Sequence, residues 1–120
     1  YDHRFLLLNA GMNDLMRPAL YEAYHHILPL QQSAAQPVPQ EIAGPICEST
    51  DVFAKQRMLP PLEEGAKVAF LTAGGPRSVL ANHYNGRALP AEVLLTDSGP
   101  KLIRPAVSDA DMIALEQAQA

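Results

Sequence analysis

The chain has 120 residues, 48% hydrophobic and 18% charged, a globular balance that excludes a wholly disordered tail or a fibrous repeat. Nine lysines and arginines against 13 aspartates and glutamates leave a net charge of −4. That argues against binding nucleic acid or an anionic membrane, both of which need a basic surface. The single cysteine excludes an internal disulfide, and no apolar run approaches the roughly 18 residues of a membrane helix. The reading is therefore one β-rich cytoplasmic domain over residues 1–120.

A strand-like run begins almost at Tyr1, which reads as a domain cut from a longer chain. Phe5-Leu6-Leu7-Leu8 is a continuous apolar run that predicts a strand buried on both faces. Asn13 to Tyr21 reads as a short helical turn, capped by Asp14 and with Pro18 in its first turn. Tyr24 to Leu30 reads as extended, and the uncharged, proline-containing stretch Gln31 to Gln40 as an exposed connection. Glu41 to Cys47 is strand-like up to Gly44-Pro45, and a further strand follows from Asp51. Lys67 to Leu71 predicts another strand, and Ala73-Gly74-Gly75-Pro76 a tight bend. Glu92–Leu95 and Lys101–Arg104 flank Asp97-Ser98-Gly99 as a hairpin. The tail is helical, with Ser108 as N-cap and Asp111 completing a capping box. Short strands in so small a domain suggest a closed or partly open β-barrel, since closure removes sticky edges.

Two constellations carry chemistry. Arg17, Tyr21 and His25 stand at i, i+4 and i+8, one face of a helix, where a guanidinium fork and a phenol converge on an anion. An exposed arginine beside an amphipathic tyrosine explains the same spacing. In Gly44-Pro45-Ile46-Cys47-Glu48-Ser49-Thr50-Asp51, a thiol at a strand end suits proton donation and Glu48 suits an ammonium group. The simpler reading is a small buried thiol followed by a solvated loop. No histidine has metal-site spacing, so no metal is expected. Lys55, Lys67 and Lys101 read as surface residues.

Three stretches together, in order and spacing, resemble the C-terminal part of diaminopimelate decarboxylases. These are Asn9 to Tyr21, Ala43 to Val52, and Tyr84-Asn85-Gly86-Arg87 with Pro90-Ala91-Glu92-Val93-Leu94. The resemblance covers nearly the whole chain, and Cys47-Glu48-Ser49 separates it from ornithine and arginine decarboxylases. It implies the C-terminal β-barrel domain of an alanine-racemase-like, pyridoxal-phosphate-dependent enzyme. The family converts meso-diaminopimelate to lysine and CO2 as a homodimer, with sites at the subunit interface.

By position, the resemblance makes Arg17 and Tyr21 the holders of the substrate's distal carboxylate. It makes Cys47 the proton donor and Glu48 the contact to the distal amino group, both reaching into the second subunit's site. Where the family carries tyrosine and glycine, this chain has Pro76 and Arg77. Proline lacks both a side-chain donor and an N–H, so Arg77 is the expected replacement contact to the cofactor phosphate. The Schiff-base lysine and phosphate loop belong to the family's N-terminal β/α barrel, so this chain alone is expected to be inactive. The departure at Pro76 also leaves two other readings: a degenerate, non-catalytic interaction module, or a decarboxylase domain for a different amino acid.

Overall fold

The computed structural model describes residues 3–119, apart from the side chains of residues 76–78. Strand β1 (Phe5–Leu7) runs parallel to β3 (Val38–Ala43), which pairs antiparallel with β4 (Val52–Leu59). Strands β2 (Ile27–Pro29) and β5 (Val68–Phe70) form a second sheet, while β6 (Glu92–Thr96) and β7 (Gly99–Arg104) form a separate hairpin. Helix α1 (Arg17–Tyr21) follows β1, α2 (Gly74–Leu80) follows β5, and α3 (Asp109–Gln117) closes the chain. The domain is thus mainly β, with short helices where the sequence predicts them after the first strand and at the C-terminus. Among the described residues no helix is long and apolar enough to cross a membrane.

The strands form three separate sheets rather than one closed ring. Strands β1 and β5 each pair with a single neighbour. Their edges border a channel of about 670 Å³ lined by apolar side chains including Leu6, Leu8, Leu30, Val68 and Phe70. No backbone of the described chain fills it.

The core joins the two sheets that precede α2. Leu15, Ile27, Ile42, Phe53 and Leu59 pack together, with Ile42 fully buried at the centre of β3. Phe53 and Phe70 meet at a ring-centroid distance of 4.8 Å and a tilt of 53°, an edge-biased arrangement suited to aromatic quadrupoles. Gln40, also pointing inward from β3, is satisfied by donating to the carbonyls of Leu59 (2.8 Å) and Pro60 (3.3 Å). Such pairing removes the cost of burying its amide.

Four local expectations change. The exposed connection expected over Gln31–Gln40 stops at Pro37, since Val38–Gln40 open β3 and Gln40 is buried. The run at β1 is buried on one side only: Phe5 and Leu7 are 58% and 70% exposed, while Leu6 and Leu8 pack on the core. The tight bend expected at Ala73–Pro76 lies earlier, at Leu71–Thr72, where Thr72 takes φ 58°. Gly74, Gly75 and Pro76 open α2 instead, since a proline's missing N–H costs nothing in a helix's first turn. Asp14 does not cap α1, whose N-cap is Met16 with no side-chain bond. Its carboxylate accepts instead from the Gly11 N–H at 2.9 Å.

Candidate functional site

Helix α1 is a single turn and a half, started with Pro18 near its N-terminus and stopped at Glu22, whose φ of 53° is left-handed. Arg17 and Tyr21 therefore share its face one turn apart. Tyr21 is 66% exposed, and the Arg17 guanidinium has no hydrogen bond or ion pair among the described residues. His25 falls beyond the helix and does not join them. It is buried, with Nδ1 3.1 Å from the Leu71 carbonyl oxygen.

The second constellation sits on a loop whose shape is governed by one carboxylate. Asp51, 3% exposed, accepts from the Ile46 N–H at 2.7 Å and, across the fold, from the Met12 N–H at 2.6 Å. Its own backbone carbonyl accepts from Gly44 N–H at 2.9 Å. A side chain at Gly44 would run into the Asp51 carboxylate, which is why glycine stands there. The loop between Gly44 and Asp51 is thus cinched at its base, and Cys47 and Glu48 stand exposed at its tip. Exposure replaces the buried-thiol alternative for Cys47.

A third segment braces both others. Arg87 donates to the Asn13 side-chain oxygen at 3.0 Å and to the Asn9 carbonyl at 2.6 Å. Asn13, completely buried, donates through Nδ2 to the Asn82 carbonyl, and the Asn82 N–H returns a bond to the Asn13 carbonyl. Beside this clamp the Tyr84 hydroxyl donates to Glu48 Oε2 at 2.9 Å. That bond and the adjacent carboxylate charge hold the Tyr84 phenol above its ordinary value of 10.

The three motifs singled out in the sequence thus meet in space, though Asp51, Asn13, Tyr84 and Arg87 carried no assigned role there. No sequence signal marked these contacts, because hydrogen bonds between residues some 70 positions apart leave no periodicity. Helix α1 and the loop border one groove of about 320 Å³, lined by Pro18, Ala19, Glu22, Ser49, Thr50 and Lys55 among others. No hydrogen bond joins the Arg17–Tyr21 pair to the Cys47–Glu48 pair among the described residues. The Arg77 side chain, expected to meet a phosphate, lies outside the described residues.

Among the described residues no lysine has the setting of a Schiff-base former. A Schiff-base lysine needs a desolvated setting or an adjacent cation to be reactive, and Lys55, Lys67 and Lys101 are all exposed. Among the described residues no three His, Cys, Asp or Glu side chains gather as a metal site.

Comparison with known proteins places the chain in a family. Residues 1–74 match the family described as the pyridoxal-dependent decarboxylase C-terminal sheet domain. A diaminopimelate decarboxylase of Methanocaldococcus jannaschii is 43% identical over 111 residues, 92% of this chain but 25% of the relative. That of Aquifex aeolicus is 43% identical over 100 residues, 83% of this chain and 24% of the relative. The crystal structure of the Helicobacter pylori diaminopimelate decarboxylase complexed with L-lysine superposes with a TM-score of 0.91 at 38% identity, covering all of this chain and 30% of that one. The chain therefore spans about a quarter of the length of the curated relatives it matches. With the family match covering more than half of its length, the chain belongs to the pyridoxal-dependent decarboxylases, as their C-terminal sheet domain.

Proposed function

We propose that this domain supplies the substrate-reading and proton-donating groups of a diaminopimelate decarboxylase, whose lysine-bearing, cofactor-holding barrel lies in the rest of a longer protein. The observation that carries the reading is the loop cinched by Asp51. Two hydrogen bonds to its buried carboxylate hold the base from which an exposed thiol and a carboxylate, Cys47 and Glu48, are presented to open space.

In this reading Arg17 forks the distal carboxylate of meso-diaminopimelate with two parallel N–H bonds, and Tyr21 adds a hydroxyl donor. Glu48 takes the distal ammonium, so an amino acid lacking that second zwitterionic end leaves the Arg17 and Glu48 charges unpaired and is rejected. Pyridoxal phosphate, when bound by the barrel, supplies the electron sink that lets CO2 depart. Cys47 holds a proton at Sγ, deliverable to the carbon that loses CO2, and is restored from solvent. No hydrogen bond joins the two pairs among the described residues, which fits a homodimer in which each substrate takes Arg17 and Tyr21 from one copy and Cys47 and Glu48 from the other. Lysine is the expected product, and the relatives crystallised with L-lysine support that choice. The reading assigns the enzyme to the cytoplasm, where an exposed thiol stays reduced. It also has the β1 and β5 edges close into a barrel around a strand from the longer protein, seated in the apolar channel between them.

Pro76, standing where the family carries a tyrosine, favours a second reading in which the domain is a non-catalytic interaction module or serves another amino acid. The test is Cys47→Ser in the full-length protein. The expected result is a kcat lower by about 10²- to 10⁴-fold, the usual contribution of a positioned acid, with KM little changed. An undiminished kcat, or no turnover of meso-diaminopimelate by the unmutated protein, overturns the catalytic reading.

A further inference from the structure

We propose that Tyr84 is a positioning residue for substrate recognition, orienting the Glu48 carboxylate so that its second oxygen faces the ammonium group of the ligand. The inference rests on the role given to Glu48 above and adds a residue to it.

The geometry is specific. The Tyr84 hydroxyl donates to Glu48 Oε2 at 2.9 Å, and Oε1 has no hydrogen bond among the described residues. One oxygen is therefore held and the other offered. Glu48 stands on an exposed loop tip, where a glutamate's rotamers would otherwise be free and their entropy would be lost on binding.

Tyr84 can do the holding because its own backbone is anchored. Its N–H donates to the Asn82 side-chain oxygen at 2.9 Å, and Asn82 is locked to buried Asn13 by paired bonds. The chain then turns away through Asn85 and Gly86, at φ 62° and 66°. The tyrosine ring also lines an apolar recess of about 350 Å³ with Met12, Asn13, Met16 and Asn82. Its body thus lies against apolar surface while its hydroxyl is at the rim, the usual amphipathic use of tyrosine.

A role in folding is a poor explanation for this bond. Both residues are exposed, Tyr84 by 49%, and an exposed hydrogen bond merely replaces bonds to water. A phenol is already protonated at neutral pH, and the Glu48 carboxylate shifts Tyr84 further toward that form, so the donor is present.

The test compares Tyr84→Phe and Glu48→Gln in the full-length enzyme, using meso-diaminopimelate as substrate and 2-aminopimelate, which lacks the distal ammonium, as competitive inhibitor. For Tyr84→Phe the expected result is a KM raised about three- to tenfold, the scale of one hydrogen bond of ordinary net strength at an exposed site, with kcat and the 2-aminopimelate inhibition constant unchanged. Combined with Glu48→Gln, Tyr84→Phe should add nothing further. An unchanged KM in Tyr84→Phe beside a raised KM in Glu48→Gln overturns the inference alone. Equal weakening of both ligands also overturns it, by marking a general structural role. An unchanged KM in Glu48→Gln removes the Glu48 reading and this inference together. A phenol titration gives a second readout: the tyrosine ionisation that disappears in Tyr84→Phe should fall toward 10 in Glu48→Gln.

Discussion

The two ends of this molecule are built on different terms. Every buried residue described lies between Gly11 and Leu59, in the region of β1 to β4 and the loops that carry the candidate site. The β6–β7 hairpin and α3 contain none. Val93, Leu94, Leu95, Leu102 and Ile103 are each at least half exposed, with Leu95 at 81%. Leu94 and Leu95 are adjacent, so the hairpin shows apolar side chains on both of its faces. A lone two-stranded ribbon has marginal stability in water, and the bridge between Leu89 and Val107 ties the hairpin's own two flanks to each other, not to the core. The radius of gyration, 16.1 Å, exceeds the roughly 13.6 Å of a compact chain of this length, as expected when one part does not fold back on the other. The first region makes its own interior, and the second awaits cover. Under the proposed function that cover is the remainder of the longer protein.

The sharpest way to break this contrast is to remove core volume. Ile42→Ala should destabilise the chain by about 2–5 kcal/mol through lost burial and a residual cavity, read as a lower urea midpoint. A shift no larger than that of a hairpin variant would mean that the core does not hold the fold. Next in size, Asp51→Ala orphans the N–H groups of Met12 and Ile46. A loss of about 3 kcal/mol is expected, together with faster amide exchange at Ile46 and Glu48, because the loop base opens. In the hairpin, Leu95→Ser should change unfolding by less than about 0.5 kcal/mol. The same variant should reduce self-association in light scattering, since an exposed apolar patch is lost. Lowered stability there would show that the hairpin is covered after all.

The smallest effect belongs to the α3 cap. Ser108 accepts from the Asp111 N–H at 3.2 Å while the Asp111 carboxylate takes the Ser108 N–H at 2.8 Å and its hydroxyl at 2.6 Å. These bonds hold the Asp111 carboxyl below its ordinary 3.8. A depressed acid stabilises above its unfolded value and loses that contribution as pH falls through the folded one. Amide shifts at Ser108 should therefore stay constant from neutral pH down to about 4 and move only below it. Movement nearer pH 6 would contradict the cap.

Much of this was legible in the residues. The hairpin at Asp97-Ser98-Gly99 and the Ser108 capping box are local: a left-handed glycine, φ 114° at Gly99, and a serine three residues before an acid act on their neighbours alone. The strands were found within a few residues because apolar runs bounded by Gly and Pro are local too. What failed was non-local. Phe5 and Leu7 look like core residues, but only a second sheet or a further strand could have covered them. Ala73 to Pro76 could make either a bend or a helix start, and the pairing of Leu71 with His26 put the reversal at Thr72.

At the site the same division holds. The residue types alone determined that an arginine–tyrosine pair and a thiol–carboxylate pair exist, and that their surroundings match one decarboxylase family. Tertiary structure alone decided that His25 is interior, that Asp51 ties the loop to Met12, and that Tyr84 reaches Glu48 across 36 residues. Local preferences are written into neighbouring residues, whereas contacts between distant segments exist only once burial of a shared core has brought those segments together.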